Sequence, residues 1–306
     1  MTNKTILVTG GAGFIGSHLV DKLIELGNNV KVIDNLFAGL RENINPKADF
    51  YELDICDFEK IKPVFQDVDF VFHLAAIPRV PLSMEKPSET SLVNIQGTIN
   101  VFKAAEEAKV KRIVFASSSS VYGDQPISPL QETMQENPIS PYGLQKWVGE
   151  KFAKMFTEVY GLPVISLRYF NVFGPRLDFT SDYSLVLGKF LTQKKQGKPM
   201  TIFGDGEQTR GFCYVMDVVS ANIKAMDSAQ VKGGEVINIG SKTSQSVNYI
   251  ADLLGGEKQY LPVRAGDILH TQADITKAKE LLGWMPEVGF EEGVRMTSEW
   301  FDRANV

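Results

Sequence analysis

The stretch Thr5-Ile6-Leu7-Val8-Thr9-Gly10-Gly11-Ala12-Gly13-Phe14-Ile15-Gly16 decides the reading of this 306-residue chain. Its first five residues, rich in β-branched and aliphatic side chains, read as a buried strand. Gly10, Gly13 and Gly16 follow at the spacing of a tight turn that opens a helix, and helical periodicity runs from Phe14 to Leu26 until Gly27 stops it. Such glycines let the backbone approach a pyrophosphate, and the helix N-terminus offers amide donors and the positive end of its dipole. A second strand, Val30 to Asp34, ends in a carboxylate 18 residues after Gly16. A carboxylate there binds ribose hydroxyls and repels a 2′-phosphate, so the expected cofactor is NAD rather than NADP.

Outward from this unit the pattern repeats. Strand-like runs at Phe50–Asp54, Phe70–Ala75, Arg112–Ser117 and Val164–Tyr169 alternate with helical stretches near Phe58–Phe65, Ser88–Ala108 and Pro141–Tyr160. The last helix is framed by an N-cap candidate, Ser140, by Pro141 at the first helical position, and by Gly161 and Pro163 after its end. Alternation of this kind predicts an α/β fold, a Rossmann-type doubly wound parallel sheet. After Tyr169 the texture changes to loops rich in Gly, Asp, Pro and Thr. Shorter helical patterns follow near Ser184–Gln196, Asp217–Ser228, Ser246–Leu254, Ile275–Leu282 and Glu291–Phe301, with one strand near Val236–Ile239. The expected division is a dinucleotide-binding domain at 1–170, completed by about 212–240, and a smaller mixed α/β substrate-binding region at 171–211 and 241–306.

Composition narrows the function classes. Charged residues are 23% and apolar residues 43% of the chain, the balance of a globular protein with a sizeable core. A net charge of −5 argues against nucleic acid as a partner. No apolar run reaches the roughly 18 residues of a membrane span, and Met1 to Gly10 reads as a strand rather than a signal peptide. Two distant cysteines, Cys56 and Cys213, and three scattered histidines predict neither a disulfide framework nor a metal site, and fit a reducing cytoplasm.

Tyr142 and Lys146 are four apart near the start of the long helix and therefore share a face. A phenol serves as a base only if its ordinary pKa of about 10 is lowered, by about 4 kcal/mol for about three units. An ammonium nearby together with an oxidised nicotinamide ring supplies such stabilisation. Ser118, in the loop after the fifth strand, is placed to hydrogen-bond the same substrate hydroxyl.

These residues resemble the extended short-chain dehydrogenase/reductase superfamily, and within it the UDP-hexose 4-epimerases. The resemblance spans nearly the whole chain. It rests on Thr9–Gly16, Asp34-Asn35, Asp54-Ile55, His73-Leu74-Ala75-Ala76, Ser117–Gly123, Tyr142 to Lys146, Arg168–Asn171, Gly204 to Asp217, and Arg264-Ala265-Gly266-Asp267. It implies that NAD stays bound, with Gly10, Gly13, Phe14, Ile15 and Gly16 at its pyrophosphate, Asp34 and Asn35 at its ribose, and Asp54 and Ile55 at its adenine. Leu74, Ala75 and Ala76 would line the path toward the nicotinamide. Tyr142, Lys146 and Ser118 would be catalytic, with Lys146 binding the nicotinamide ribose. The nucleotide sugar would meet Asn171 at its phosphates, Phe203 at uracil, Arg210 and Arg264 at the diphosphate, and Asp267 at the uridine ribose. A homodimer built on the helices Ser88–Ala108 and Pro141–Tyr160 is also implied.

Two positions discriminate within the superfamily. Resembling dehydratases and decarboxylases carry an acid one or two places after the catalytic Ser/Thr, where this chain has Ser119 and Ser120. Without that carboxylate an elimination lacks its proton carrier, which favours epimerisation. Four places after Asp267, where an aromatic residue narrows the sugar pocket in some relatives, stands Thr271. The expected substrates are thus UDP-N-acetylglucosamine and UDP-N-acetylgalactosamine alongside UDP-glucose and UDP-galactose. Arg79, in Ile77–Pro81, borders the expected sugar pocket and keeps UDP-glucuronate as an alternative. A nucleotide-sugar decarboxylase or 4,6-dehydratase, and a non-catalytic NAD-binding sensor, are the other readings. The chain departs from its resembling family at Gly211, usually aspartate, and at Gly188, often proline.

Overall fold

The computed structural model describes residues 2–179, 186–263 and 270–304. Seven parallel strands form the central sheet: β1 (Thr5–Thr9), β2 (Asn29–Asp34), β3 (Asp49–Glu52), β4 (Phe70–His73), β5 (Arg112–Ser118), β6 (Val164–Tyr169) and β7 (Val236–Ile239). Their order is β7-β6-β5-β4-β1-β2-β3, and every neighbouring pair is parallel. The chain leaves β1 toward one edge and later returns to place β4 on its other side. The carboxyl ends of β1 and β4 are therefore the topological switch point, where open α/β sheets bind ligands.

Side-chain alternation along the strands sorts the core into two layers. Ile6 and Val8 pack with Leu19, Val20 and Leu23 of helix α1 (Phe14–Glu25). Leu7 and Ile33 face the opposite layer, with Val101, Phe102 and Ala105 of α2 (Thr98–Glu107) and Ala153 and Phe156 of α3 (Pro141–Tyr160). A third cluster lies beyond β6. It gathers Phe173 and Phe179, residues of α4 (Val186–Lys195), Val215 at the start of α5 (Val215–Asp227), Ile250 of α6 (Val247–Leu254) and Phe301 of the last helix, Phe290–Arg303.

The ends of α3 follow its sequence signals. Ser140 Oγ accepts from Gly143 N at 3.1 Å, and Gly161 closes the helix at φ 70°. The expected single helix Ser88–Ala108 differs. It comprises Pro87–Ser91, a π-helical segment Leu92–Gly97, and α2. The wider turn lets Asn94 leave the helical bonding pattern: its amide accepts from Ile77 N at 2.8 Å and donates to Ile77 O at 3.1 Å and Gln145 Oε1 at 2.7 Å. Phe156 is buried in the second core layer, and Phe152 and Met155, partly buried, pack against it. The exposed apolar side chains of these helices are Leu92, Leu144, Val159 and Tyr160.

Candidate active site

The glycine loop sits at the switch point with almost no room for side chains. A Cβ at Gly10, whose φ is 76°, would lie 2.6 Å from Ala75 N, and one at Gly16 would lie 2.0 Å from Gly10 O. The loop after β1 is thus pressed onto the loop after β4, and bare backbone is exposed to whatever binds above. Helix α1 starts at Phe14 and Ile15 with no side-chain cap, so its first amides and dipole end are directed at that space. Asp34, buried at the end of β2, accepts from Ala12 N at 3.0 Å and Leu36 N at 2.8 Å. Burial raises its carboxyl, and these two bonds oppose the rise. Asn35 donates to Asp54 Oδ2 at 3.0 Å, while Asn100 holds Ile55 O at 2.9 Å. A Cβ-free cradle, an uncapped helix start and a carboxylate at the next strand end together fit the pyrophosphate and ribose of a dinucleotide.

The catalytic candidates lie across the same switch point. Tyr142 and Lys146 are buried on one face of α3, and the Tyr142 phenol is near enough to Ser118, at the end of β5, to feel its hydroxyl. Lys146 Nζ donates to Ala116 O at 2.7 Å and lies 5.9 Å from the Tyr142 ring centre. Burial pushes the Tyr142 phenol up to about 12, and the Ser118 hydroxyl opposes this only weakly. Burial likewise pushes the Lys146 ammonium down to about 7, against the pull of Glu150. The lowering expected of this phenol calls on an ammonium together with an oxidised nicotinamide ring. In the structure desolvation prevails, so the chain's own groups leave Tyr142 protonated.

Ser118 Oγ accepts from Ser120 N at 3.2 Å, and the turn Ser119–Val121 holds the hydroxyls of Ser119 and Ser120 and no acid. The nearest carboxylate of α3, Glu150, is engaged elsewhere: Ser117 Oγ and the buried Arg168 both bond to it.

Substrate-side candidates converge from β6 onward. Ser118 pairs with Tyr169 in the sheet, so Asn171 follows two residues beyond that partner. Asn171 has φ 32° and donates to Gly211 O at 2.9 Å and Thr271 Oγ1 at 3.4 Å. Thr271 lies beside Arg210 in a parallel strand pair. Gly211 has little room: a Cβ there would come within 3.2 Å of Thr271 O, so this departure from the resembling family matches a tight strand contact. Phe203 lies under Lys189, whose Nζ is 5.4 Å from the ring centre. Arg264 and Asp267 lie outside the described residues. Arg79 is bound to Asp178 at 2.8 Å.

Around the site His73 has partners that the sequence did not show, and Asn94, Thr98, Gln145 and Ser83 carried no sequence signal. His73, fully buried, accepts from Thr9 Oγ1 at 2.7 Å and donates through Nε2 to Thr98 Oγ1 at 3.0 Å, since Thr98 donates onward to Asn94 O. Burial, with Lys146 nearby, lowers it to about 3, so it is neutral. Gln145 joins Asn94 to Thr90 and Ser91, and Ser83 Oγ accepts from Tyr142 N at 3.1 Å. Among the described residues no three His, Cys, Asp or Glu side chains gather as a metal site, and no helix is long and apolar enough to cross a membrane.

Comparison with known proteins agrees with this geometry. Residues 6–240 match the NAD dependent epimerase/dehydratase family. A putative UDP-glucose 4-epimerase of Methanocaldococcus jannaschii is 42% identical over 98% of this chain and 99% of its own length. The UDP-N-acetylglucosamine 4-epimerase of Methanobrevibacter ruminantium M1, solved with UDP-N-acetylmuramic acid, superposes with a TM-score of 0.94 at 40% identity, covering 99% of this chain and 100% of that one. UDP-glucuronic acid decarboxylase 1 of Xenopus tropicalis is 36% identical over 97% of this chain and 72% of its own. With a glycine cradle at the switch point, the match over residues 6–240 and relatives aligned along nearly the whole chain, this protein belongs to the NAD-dependent epimerase/dehydratase family.

Proposed function

We propose that the chain interconverts the carbon-4 epimers of UDP-hexoses, UDP-N-acetylglucosamine and UDP-N-acetylgalactosamine together with UDP-glucose and UDP-galactose. One observation carries this reading: the turn Ser119–Val121, which follows Ser118 at the end of β5 and packs against the start of α3 where Tyr142 is buried, holds Ser119 and Ser120 and no acid. Such a site can move a proton at a hydroxyl but lacks the carboxylate that elimination or decarboxylation uses.

Bound NAD supplies a hydride acceptor, and later donor, for carbon 4. Tyr142 takes the proton of the 4-hydroxyl as a phenolate and returns it to the epimer, while Ser118 orients that hydroxyl. Lys146 holds the nicotinamide ribose, and its charge favours the phenolate. Because burial alone keeps Tyr142 protonated, the base forms only when further positive charge adjoins it. Asp34 and Asn35 bind the adenosine ribose, Asp54 and Ile55 border the adenine, and Leu74, Ala75 and Ala76 line the way to the nicotinamide. On the substrate side Asn171, Arg210 and Arg264 hold the phosphates, Phe203 stacks on uracil and Asp267 takes the uridine ribose. The diphosphate anchors the substrate while the 4-keto sugar turns over. Thr271, half-buried beside Asn171, leaves room for an acetamido group. We also infer a cytoplasmic homodimer built on α3 and the helices before it, whose exposed Leu92, Leu144 and Val159 suit a subunit face. The division into a cofactor domain at 1–170 with 212–240 and a substrate region at 171–211 and 241–306 belongs to the same reading.

The experiment is product analysis. Purified protein with no added cofactor is incubated with UDP-N-acetylglucosamine, UDP-glucose and UDP-glucuronate separately. An isomer of unchanged mass from the first two supports the reading. A product lighter by carbon dioxide contradicts it and favours the activity named for the Xenopus relative, and a product lighter by water contradicts it in favour of a dehydratase.

A further inference from the structure

Two walls rise from the Ser118–Tyr142 floor. One is the loop after β4, whose Ser83 accepts from Tyr142 N. The other is the segment after β6, which starts at Asn171 beside Thr271 and Gly211. The second wall is fastened along its length. His18 Nε2 meets Pro175 O at 2.8 Å, Arg176 pairs with Asp21 at 2.8 Å, and Phe179 is buried against Trp300 and Phe301. An ion pair joins the walls: Arg79 Nη2 to Asp178 Oδ2 at 2.8 Å. It spans the cleft from the side that carries the Tyr142 contact to the side that carries the Asn171 contact.

We propose that Asp178 is a specificity-determining residue, which occupies Arg79 and thereby selects sugars with a neutral carbon-6 substituent. This rests on the UDP-hexose reading above and names its substrate class. Arg79 is a cation at the edge of the sugar site and would otherwise attract the carboxylate of a uronic acid. With Asp178 bound to it, such a carboxylate must displace one anion while approaching another. A hydroxymethyl group meets neither obstacle. The pair is partly exposed, so its worth to folding is small. Its consequence is the charge it presents to the cleft.

The test compares the NAD-loaded wild type, Asp178→Asn and the double variant Asp178→Asn/Arg79→Gln on UDP-glucuronate and UDP-glucose. The expected result is a rise of about tenfold in the kcat/KM ratio of UDP-glucuronate to UDP-glucose in Asp178→Asn, carried by KM, and its reversal in the double variant. A ratio that stays put, or that rises equally in both variants, overturns the proposal. If the wild type isomerises no UDP-hexose, the epimerase reading fails by itself. The same three proteins are then compared by calorimetric Kd for the two nucleotide sugars, where an unchanged Kd ratio overturns the role of Asp178 and a tenfold change restricted to the single variant sustains it.

Discussion

The Lys146 ammonium lies 5.9 Å from the centre of the Tyr142 ring and donates its hydrogen bond to the Ala116 carbonyl. The two residues are one helical turn apart on α3, both buried, and burial moves each toward its neutral form. At neutral pH the chain alone therefore holds a protonated phenol beside an amine that is only partly charged.

Removing the phenol oxygen should therefore abolish turnover and leave cofactor binding intact. Tyr142→Phe is expected to lower kcat by about 10²–10⁴, the usual worth of a positioned general base. NAD released on denaturation should stay stoichiometric. Restored activity on adding NADH to this variant would contradict the role of Tyr142.

The Lys146 shift has a stability consequence whose sign is fixed. Its pKa falls from 10.5 in the unfolded chain to about 7 in the fold. Between those values the unfolded chain binds more protons, so this group's contribution to stability grows as pH rises and is lost as pH falls toward 7. Cofactor-free Lys146→Met should thus be more stable than the wild type at pH 6, by about 2 kcal/mol after loss of the Ala116 bond, and the advantage should fade toward pH 10. Denaturant melts across that range give the slope.

Arg168 is fully buried between Glu150 and Glu136, with Glu150 bonded at both oxygens. Arg168→Met strands a carboxylate in the core and should cost about 3–5 kcal/mol. Adding Glu150→Gln should recover part of that loss, measured by urea unfolding. Additive losses in the pair would show that the two residues act separately.

Gly16 tests the cofactor cradle. Gly16→Ala would place a methyl 2.0 Å from Gly10 O, so the loop must shift. Co-purified NAD should fall by tenfold or more, while the far-ultraviolet circular dichroism stays that of an α/β fold. Retention of full NAD occupancy would move the pyrophosphate site elsewhere.

Thr271→Tyr fills the space beside Asn171. It should depress kcat/KM for UDP-N-acetylglucosamine at least tenfold more than for UDP-glucose, the cost of excluding an added group from a pocket of fixed size. Equal losses on both substrates would remove Thr271 from specificity.

What the sequence made legible follows from local signals. The strand–glycine–helix unit, Asp34 and the ends of α3 are each written in consecutive residues, and the seven strands follow from apolar runs. The π-helical turn at Leu92–Gly97 has no such local signal, and the Asn94 side chain within it bonds to residues far away in sequence, Ile77 and Gln145. Arg79 and Asp178 stand 99 residues apart, so their pairing is a property of the closed cleft alone. Charge states are likewise products of burial. A lysine four residues from a tyrosine suggests a cation beside a phenol, but the depth at which both lie decides their protonation.

The most direct measurement follows a label at the reacting carbon. UDP-N-acetylglucosamine carrying deuterium at carbon 4 is incubated in ordinary water with no added cofactor, and the product is resolved and its label located. The account predicts a carbon-4 epimer of unchanged mass that keeps its deuterium at carbon 4. Deuterium lost to solvent, or a product lighter by water or carbon dioxide, would contradict it.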